Sequence, residues 1–219
     1  MIKIEKLNKK YWTSDIFTDM SIEINGGEII TILWPSGSGK STLLNLISLI
    51  DRDYEWKIEI DKKDIWNIKT EDKATEFRGK NISFIFQNFN LIDNLTVKEN
   101  IDLVIDINNL ERNYTTEDII KLVGLEKKKE SYPFNLSWWE KQRVAIARAF
   151  VWKNKLLLAD EPTGSLDSKN TENICNLIKE LNKKTKNTII IITHDNKVAN
   201  IWDRIFEIKD YKLKQKQWE

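Results

Sequence analysis

Residues 28–42 read EIITILWPSGSGKST, and this stretch decides the fold class. Residues 28–33 are rich in β-branched side chains and predict a strand, whereas residues 42–50 are largely apolar and predict a helix. Apart from Trp34, the segment between them fits the phosphate-loop pattern G-x-x-x-x-G-K-[ST]. Because strand, loop and helix follow in the required order, the sequence predicts a nucleotide-binding site rather than a glycine- and serine-rich turn without a ligand.

The chemistry of such a loop depends on its main chain. Successive backbone N–H groups at a helix N-terminus form a positive concavity that suits phosphate, and Gly37 and Gly39 let the chain curl close to it. Lys40 would reach the β- and γ-phosphates, and the Ser41 hydroxyl would ligate Mg²⁺. The other nucleotide-binding candidates of this segment are Trp34, Pro35, Ser36, Ser38 and Thr42.

The rest of the chain alternates between predicted strands and helices. The predicted strands are 2–7, 21–24, 28–33, 57–60, 82–86, 155–159, 188–193 and, as a final edge strand, 204–208. The predicted helical stretches are 42–50, the span from about 96 to 150, and 168–184. This alternation favours an α/β fold with a parallel sheet, into which a helical lobe is inserted.

Further candidate site residues lie where predicted core strands end. Asp160 and Glu161 follow an apolar run, and ligands bind outside the carboxyl ends of parallel strands. Asp160 would hold magnesium through water, and Glu161 would act as general base toward the attacking water. His194, the single histidine, would contact the γ-phosphate, and Gln87 would ligate magnesium or orient water. The alternative interpretations are that Asp160 and Glu161 are merely acidic turn residues and that His194 has a structural role.

Composition narrows the class of protein. The 35 Lys and Arg residues nearly balance the 34 Asp and Glu, which removes the main argument for a nucleic-acid partner. One cysteine, Cys175, excludes an internal disulfide framework. No apolar run approaches the ~20 residues that cross a bilayer, and the first ten residues, MIKIEKLNKK, lack a signal-peptide core. We therefore expect a soluble chain that stays in the cytosol.

Taken in order, these motifs resemble the ATP-binding subunit of an ABC transporter over nearly the whole chain. The resemblance rests on KQRVAIARAF at 141–150, LLLADEPTGSLDS at 156–168 and the phosphate loop. It implies that Leu136 to Glu140 (LSWWE) is the signature, with Ser137, Trp138, Trp139 and Glu140 facing a nucleotide. It also makes Tyr11 the aromatic loop that stacks on adenine, Gln87 the Q-loop, Ser165-Leu166-Asp167 the D-loop and His194 the switch histidine.

The resemblance implies an α/β P-loop NTPase fold with a RecA-like parallel-sheet core, an N-terminal antiparallel β subdomain and an inserted helical signature subdomain. We expect a single ABC ATP-binding domain over 1–219, with the helical subdomain at about 90–150. Two such subunits would sandwich ATP and Mg²⁺, each nucleotide lying between one phosphate loop and the other subunit's signature. A transmembrane permease would be the second partner, and the chain would sit peripherally on the cytoplasmic face of the membrane.

The transport subgroup most similar to this chain handles lipoprotein release and macrolide or peptide export. A cell-division ATPase of similar length is an alternative, and so is a catalytically inactive subunit. ABC proteins of DNA repair or ribosomes usually carry long coiled coils or two fused ATPase units, which this chain lacks. The transported substrate, the direction of transport and the choice between homodimer and heterodimer are not readable from the sequence.

Glycine and tryptophan are present in unusual numbers. The chain has 7 glycines and 9 tryptophans, whereas average glycine usage of about 7% would give about fifteen glycines. The family has glycine where this chain has Trp34, Trp138 and Trp139. Two adjacent indoles, each covering about 150–250 Å² when packed, would fill the gap that a neighbour's γ-phosphate needs. If position 34 needs a glycine-only backbone conformation, Trp34 adds strain of roughly 1–3 kcal/mol.

Two explanations of these tryptophans remain open. In the first, the gene uses UGA for glycine and was translated with a table that reads UGA as tryptophan. In the second, the tryptophans are genuine and the subunit is degenerate. A decayed gene should lose motifs at random, yet Lys40, Asp160, Glu161 and His194 all remain and the departures share one substitution type. We therefore favour the first explanation, which UGG codons at 34, 138 and 139 would exclude.

Overall fold

The computed structural model describes residues 2–12, 14–34, 39–53, 55–108, 110–164, 167–209 and 211–216. The described strands are β1 (Ile2–Tyr11), β2 (Ser14–Ile24), β3 (Ile29–Leu33), β4 (Glu55–Ile60), β5 (Lys63–Asp64), β6 (Ile82–Ile85), β7 (Leu156–Asp160), β8 (Thr188–Thr193), β9 (Arg204–Lys209) and β10 (Lys212–Gln215). The described helices are α1 (Lys40–Ile47), α2 (Glu71–Asn81), α3 (Val97–Asn108), α4 (Thr116–Leu122), α5 (Trp138–Phe150), α6 (Ser168–Thr185) and α7 (Asn196–Ala199).

The central sheet has the order β10-β9-β3-β8-β7-β6 among the described strands. All pairings from β9 to β6 are parallel, and β10 is antiparallel to β9. Every residue of β3 and β8 is buried, as expected for parallel strands covered on both faces. The expectation that 204–208 would form the edge was wrong, because β10 covers β9 on that side.

Successive residues of the core strands point to opposite faces of the sheet. Ile190 and Ile192 enter one hydrophobic cluster together with the N-terminal strands and α1. Ile189 and Ile191 enter a second cluster, which is built with α3, α4, α5 and α6. The sheet therefore lies between two separate hydrophobic cores. The edge at the carboxyl ends of its parallel strands remains free for a site.

The N-terminal strands form a second, antiparallel sheet in the order β2-β1-β4-β5. Along β1, Ile2, Ile4 and Leu7 are buried while Lys3, Glu5 and Lys6 are more exposed, which approximates the alternation of a sheet with one covered face. The predicted antiparallel subdomain is therefore present. The segment between β6 and β7 holds α3, α4 and α5, which is the predicted helical insertion.

No described helix is both long enough and apolar enough to cross a membrane. The one cysteine, Cys175, is buried and free, and burial raises the pKa of its thiol to about 12.

Trp12 lies in the tight turn that joins β1 to β2. Its φ is 56°, in the left-handed region that favours glycine, and its side chain is fully exposed. A left-handed residue with a Cβ costs roughly 1–2 kcal/mol. We therefore expect Trp12→Gly to be more stable than Trp12→Ala by about 1 kcal/mol, since the two variants lose the same ring and differ only in the Cβ. Urea unfolding followed by circular dichroism measures this difference, and a more stable alanine variant would contradict it.

Candidate functional site

Four neighbouring strands end at the same edge of the central sheet and bring the predicted site residues together. β3, β8, β7 and β6 lie side by side, and their carboxyl ends lead into Trp34, His194, Glu161 and Gln87. The edges are joined by backbone hydrogen bonds from Trp34 N to Thr193 O (3.0 Å) and from Glu161 N to Ile192 O (2.9 Å). Because the strands are parallel, residues that are far apart in the sequence meet in one site at this edge.

Gly39 sets the start of α1. Its φ is +103°, and a Cβ built on it would lie 2.6 Å from Ile16 Cγ2, so only glycine fits without displacement. Helix α1 begins at Lys40, with Ser41 exposed and Thr42 buried in its first turn. The phosphate-loop candidates Pro35, Ser36, Gly37 and Ser38 lie outside the described residues.

The Lys40 ammonium lies against the two acidic residues of the site. Lys40 Nζ is 3.1 Å from Asp160 Oδ1 and 3.5 Å from Glu161 Oε1. Lys40 and Asp160 keep about a quarter of their side chains exposed, whereas the Glu161 side chain is only 3% exposed. The cation and Asp160 thus face the open side of the site, with Glu161 behind them.

Several hydrogen bonds hold the Glu161 carboxylate. Its Oε2 accepts a hydrogen bond from Thr193 Oγ1 (3.0 Å), and its Oε1 accepts one from His194 N (3.1 Å). The same Oε1 lies 2.7 Å from His194 Nδ1. The φ of Glu161 is 48°, an uncommon value for a residue with a Cβ, and such backbone strain concentrates at functional sites. These contacts leave the carboxylate one orientation.

The magnesium candidates Ser41, Gln87 and Asp160 supply hard oxygen donors of the kind that Mg²⁺ prefers. Asp160 Oδ1 is buried and, although it lies 3.1 Å from Lys40 Nζ, it accepts no well-directed hydrogen bond. The described residues contain no cluster of three or more His, Cys, Asp or Glu side chains that could hold a metal by themselves. The donor set therefore fits an ion that is shared with phosphate oxygens, not one caged by protein.

Gln87 and Glu161 both lie beside Gly164. A Cβ built on Gly164 would lie 3.3 Å from Glu161 Cβ and 3.6 Å from Gln87 Nε2. The sequence predicted neither Gly164 nor Thr193 as a site residue. The signal was present for Thr193, since it is a hydroxyl residue that ends an otherwise isoleucine-rich strand directly before His194.

Tyr11 ends β1 beside the first turn of α1. Its hydroxyl donates a hydrogen bond to Asp51 Oδ2 (2.7 Å), and this bond raises the pKa of Tyr11. The ammonium of Lys9 lies 4.7 Å from the centre of the ring. Because the ring remains 41% exposed, a face is available for stacking on a planar base.

The predicted signature residues form the N-terminus of α5. Ser137 is the N-cap, and Glu140 returns a hydrogen bond by accepting from Ser137 N (2.7 Å), which completes a capping box. Burial would raise the pKa of Glu140, but the hydrogen bonds from Ser137 together with the nearby Lys128 ammonium outweigh burial and lower the pKa. This end of α5 therefore presents the backbone N–H groups and positive dipole that suit an anion.

The indoles of Trp138 and Trp139 occupy the same helix end. Trp138 is 46% exposed, and its ring meets Phe89 edge-on at a centroid distance of 4.7 Å. Trp139 is half-buried, with the guanidinium of Arg143 lying 5.0 Å from its ring centre. The first two residues of the helix thus carry the bulkiest side chains at the position where the resemblance implies glycine.

Trp34 behaves differently from this pair. It is 2% exposed and packs edge-on against Phe17 at 5.8 Å, and it is not among the described residues with positive φ. The condition for backbone strain at position 34, a glycine-only conformation, is therefore not met in this structure. The unfavourable feature is instead its buried Nε1, which has no hydrogen-bond partner in the described part of the chain.

Asp167 is the N-cap of α6. Its carboxylate accepts a hydrogen bond from Asn170 N (2.9 Å), and this bond lowers the pKa of Asp167. The other two D-loop residues, Ser165 and Leu166, lie outside the described residues.

Comparison with known proteins identifies the family. Residues 17–164 match the family model described as "ABC transporter". The bacitracin export ATP-binding protein BceA of Halalkalibacterium halodurans is 38% identical over 94% of this chain and 80% of that protein. The lipoprotein-releasing system ATP-binding protein LolD of Bacteroides thetaiotaomicron is 36% identical over 98% of this chain and 100% of that protein.

A solved structure shows the same fold. The dimer of the ATP-binding cassette MJ0796 in a post-hydrolysis state, bound to ADP and phosphate, has a TM-score of 0.85 at 34% identity and covers 99% of this chain and 98% of that chain. These matches confirm both the resemblance and the α/β P-loop fold that the motifs predicted. The chain therefore belongs to the ABC transporter family, as an ATP-binding subunit.

Proposed function

We propose that this subunit encloses Mg²⁺-ATP between its own phosphate loop and the signature of a second ATP-binding subunit, and that hydrolysis powers an export-type permease. The observation that carries the proposal is the contact set of Lys40, Asp160, Glu161 and His194 at the carboxyl edge of the sheet. A cation, an open carboxylate and a fixed carboxylate within one contact network are what phosphoryl transfer to water requires.

On this subunit's own face, Lys40 binds the phosphates, and Ser41, Gln87 and Asp160 would hold a magnesium ion. When bound, Mg²⁺ neutralises phosphate charge and orients the group to be transferred. Glu161 accepts the proton of the attacking water, because Thr193 and His194 fix its orientation. His194 contacts the γ-phosphate, and Tyr11 stacks on the adenine ring.

On the opposite face, the N-terminus of α5 binds the nucleotide of the partner subunit. Ser137 and Glu140 shape that end through the capping box, and the residues at 138 and 139 supply backbone N–H groups. Asp167 lies at the start of the neighbouring α6, within the D-loop. Closure of the two subunits completes each site, and hydrolysis reopens it.

The permease partner follows from the relatives, which are named for bacitracin export and lipoprotein release. A subunit of this kind works at the cytoplasmic face of the membrane, held there by its permease. The near-neutral charge of the chain gives no support for a nucleic-acid partner.

The two indoles at 138 and 139 favour one second candidate. If these tryptophans are genuine, the chain is a silent subunit that pairs with an active one, since rings at the helix end keep a partner's γ-phosphate away from the N–H groups.

Binding of Mg²⁺-ATP tests the proposal directly. Lys40→Ala is expected to raise the Kd by about 10–150-fold, which corresponds to the roughly 1.5–3 kcal/mol of a charged hydrogen bond. Lys3→Ala is the matched control, because Lys3 lies on β1, is partly exposed, and has Glu5 as its salt-bridge partner among the described residues. Isothermal titration calorimetry measures both values. Equal affinity of the Lys40 and Lys3 variants would exclude Lys40 as the phosphate ligand.

A further inference from the structure

A strained turn follows β6 directly after Gln87. Phe89 and Asn90 both have positive φ, 59° and 49°, although neither is glycine. Local hydrogen bonds from Phe89 N to Phe86 O (3.1 Å) and from Asn90 N to Asn88 O (2.6 Å) tighten the turn. Two consecutive left-handed residues with side chains persist only where surrounding contacts hold them.

Arg148 of α5 supplies those contacts. Its Nη1 donates to Asn90 O and its Nη2 donates to Phe89 O, both at 2.6 Å. The planar guanidinium fork matches two adjacent carbonyl oxygens, which a lysine ammonium does not. The Phe89 ring, which is 6% exposed, also packs against Trp138 at the other end of α5. The turn is therefore attached to α5 at two places.

The contacts of Arg148 indicate no other role for its charge. Within the described ranges it has no ion-pair partner, whereas Arg78, Arg112 and Arg204 each contact a carboxylate. Arg148 is half-buried, and this burial lowers its pKa. A partly desolvated cation whose hydrogen bonds both go to one turn is placed to hold that turn.

Gln87 depends on the turn for its position. Its side chain is exposed and makes no hydrogen bond with another described residue, so the position of its backbone sets the region that the amide can reach. That amide lies beside Gly164 and Glu161. A rotation of the turn two residues later would move it away from the site.

We propose that Arg148 is a positioning residue, which holds the Phe89–Asn90 turn in its left-handed conformation and thereby fixes the backbone from which Gln87 reaches the site beside Gly164. The contact by which Arg148 holds the turn is argued from the geometry alone. Its consequence for catalysis rests on the proposed role of Gln87. The proposal makes a specific prediction. Removing the backbone strain at Asn90 should recover part of the stability that is lost when Arg148 is replaced.

A double-mutant cycle tests the hold on the turn. Arg148→Gln is expected to lower the urea midpoint of unfolding, and Asn90→Gly, which adopts positive φ without strain, is expected to return at least half of that loss. Arg143→Gln is the matched control, because Arg143 lies on the same helix and donates one bond of the same length, 2.6 Å, to Val123 O. In the Arg143→Gln background, Asn90→Gly should not raise the urea midpoint. If Arg148→Gln does not fold, Arg148→Lys takes its place in the same cycle.

Hydrolysis tests the placement of Gln87, in the chain that carries glycine at 138 and 139. Arg148→Gln should lower kcat by about 10–100-fold with the KM for ATP within twofold, and Asn90→Gly should restore much of the rate. Equal recovery in the Arg143 and Arg148 backgrounds, or a KM that rises as much as kcat falls, would overturn the proposal. If the glycine-bearing chain hydrolyses no ATP, the proposed function fails, while the urea cycle still decides whether Arg148 holds the turn.

Discussion

Replacement of Trp34, Trp138 and Trp139 by glycine is expected to raise ATP turnover by about 10²–10³-fold, the range that one preorganised charge-stabilising contact contributes. The reason is access. The N–H groups at the start of α5 can stabilise the γ-phosphate of a partner's nucleotide only if the phosphate comes within hydrogen-bond distance, and the indoles at 138 and 139 stand at that helix end. Phosphate release, measured with the permease present and absent, gives the rates.

Most of this gain should come from positions 138 and 139. Trp34 is buried against Phe17, so its ring occupies the core and not the space in front of α5. The double variant Trp138→Gly/Trp139→Gly should therefore approach the triple variant. Trp138→Phe/Trp139→Phe is the matched control, since it keeps aromatic bulk at both positions and should stay at background. Equal turnover by the chain as written and by the glycine variant would refute the steric argument.

The nucleotide sequence separates the two explanations of the tryptophans without any protein. UGA at 34, 138 and 139 would mean that the natural subunit carries glycine there, as would suit an AT-rich genome that yields six arginines against twenty-nine lysines. Trp12, Trp56 and Trp152 also lie where members of the family often have glycine or a turn. Trp12, with its left-handed φ and full exposure, agrees with this explanation. Trp152 is buried and has no positive φ, so its structure does not argue for glycine. The side chain of Trp56 lies outside the described part of the molecule.

The sequence predicted the assembly of the site because strand order is enough to locate it. Once 28–33, 82–86, 155–159 and 188–193 are read as parallel core strands, the residues that follow them must meet at one edge. The contacts of Lys40 with Asp160 and of Glu161 with His194 agree with that inference.

The missed elements are those whose patterns carry little hydrophobic signal. Helix α2 (Glu71–Asn81) buries only Ala74 and Phe77, so it shows no apolar stripe that could be recognised. Strand β10 reads KLKQ, and it forms because its backbone pairs with β9, which no side-chain pattern announces. The left-handed turn at Phe89 and its contact with Arg148 join positions 59 residues apart, and only the packed structure shows them together.

Glu161→Gln is expected to lower kcat by about 10²–10⁴-fold, the contribution of a well-placed general base, with little change in ATP affinity. The amide has nearly the same shape: its single oxygen can accept the bond from His194 N, and its NH₂ group can donate to the Thr193 hydroxyl, so the site should keep its geometry while losing the ability to take a proton. The variant is made in the glycine-bearing chain, where turnover is measurable, and the exposed Glu111→Gln serves as control.

If closure of the two subunits needs ATP and reopening needs hydrolysis, as proposed, the Glu161→Gln variant should also accumulate as an ATP-bound dimer. Light scattering with size-exclusion chromatography, with and without Mg²⁺-ATP, measures this directly. A kcat within threefold of the parent would remove Glu161 as the base. If kcat falls as expected but no dimer forms, the role of Glu161 as the general base would stand. The proposed arrangement, in which each nucleotide lies between two subunits, would be contradicted. The two halves of the proposal, hydrolysis at the edge of β7 and closure through the start of α5, are thus tested by one substitution with two readouts.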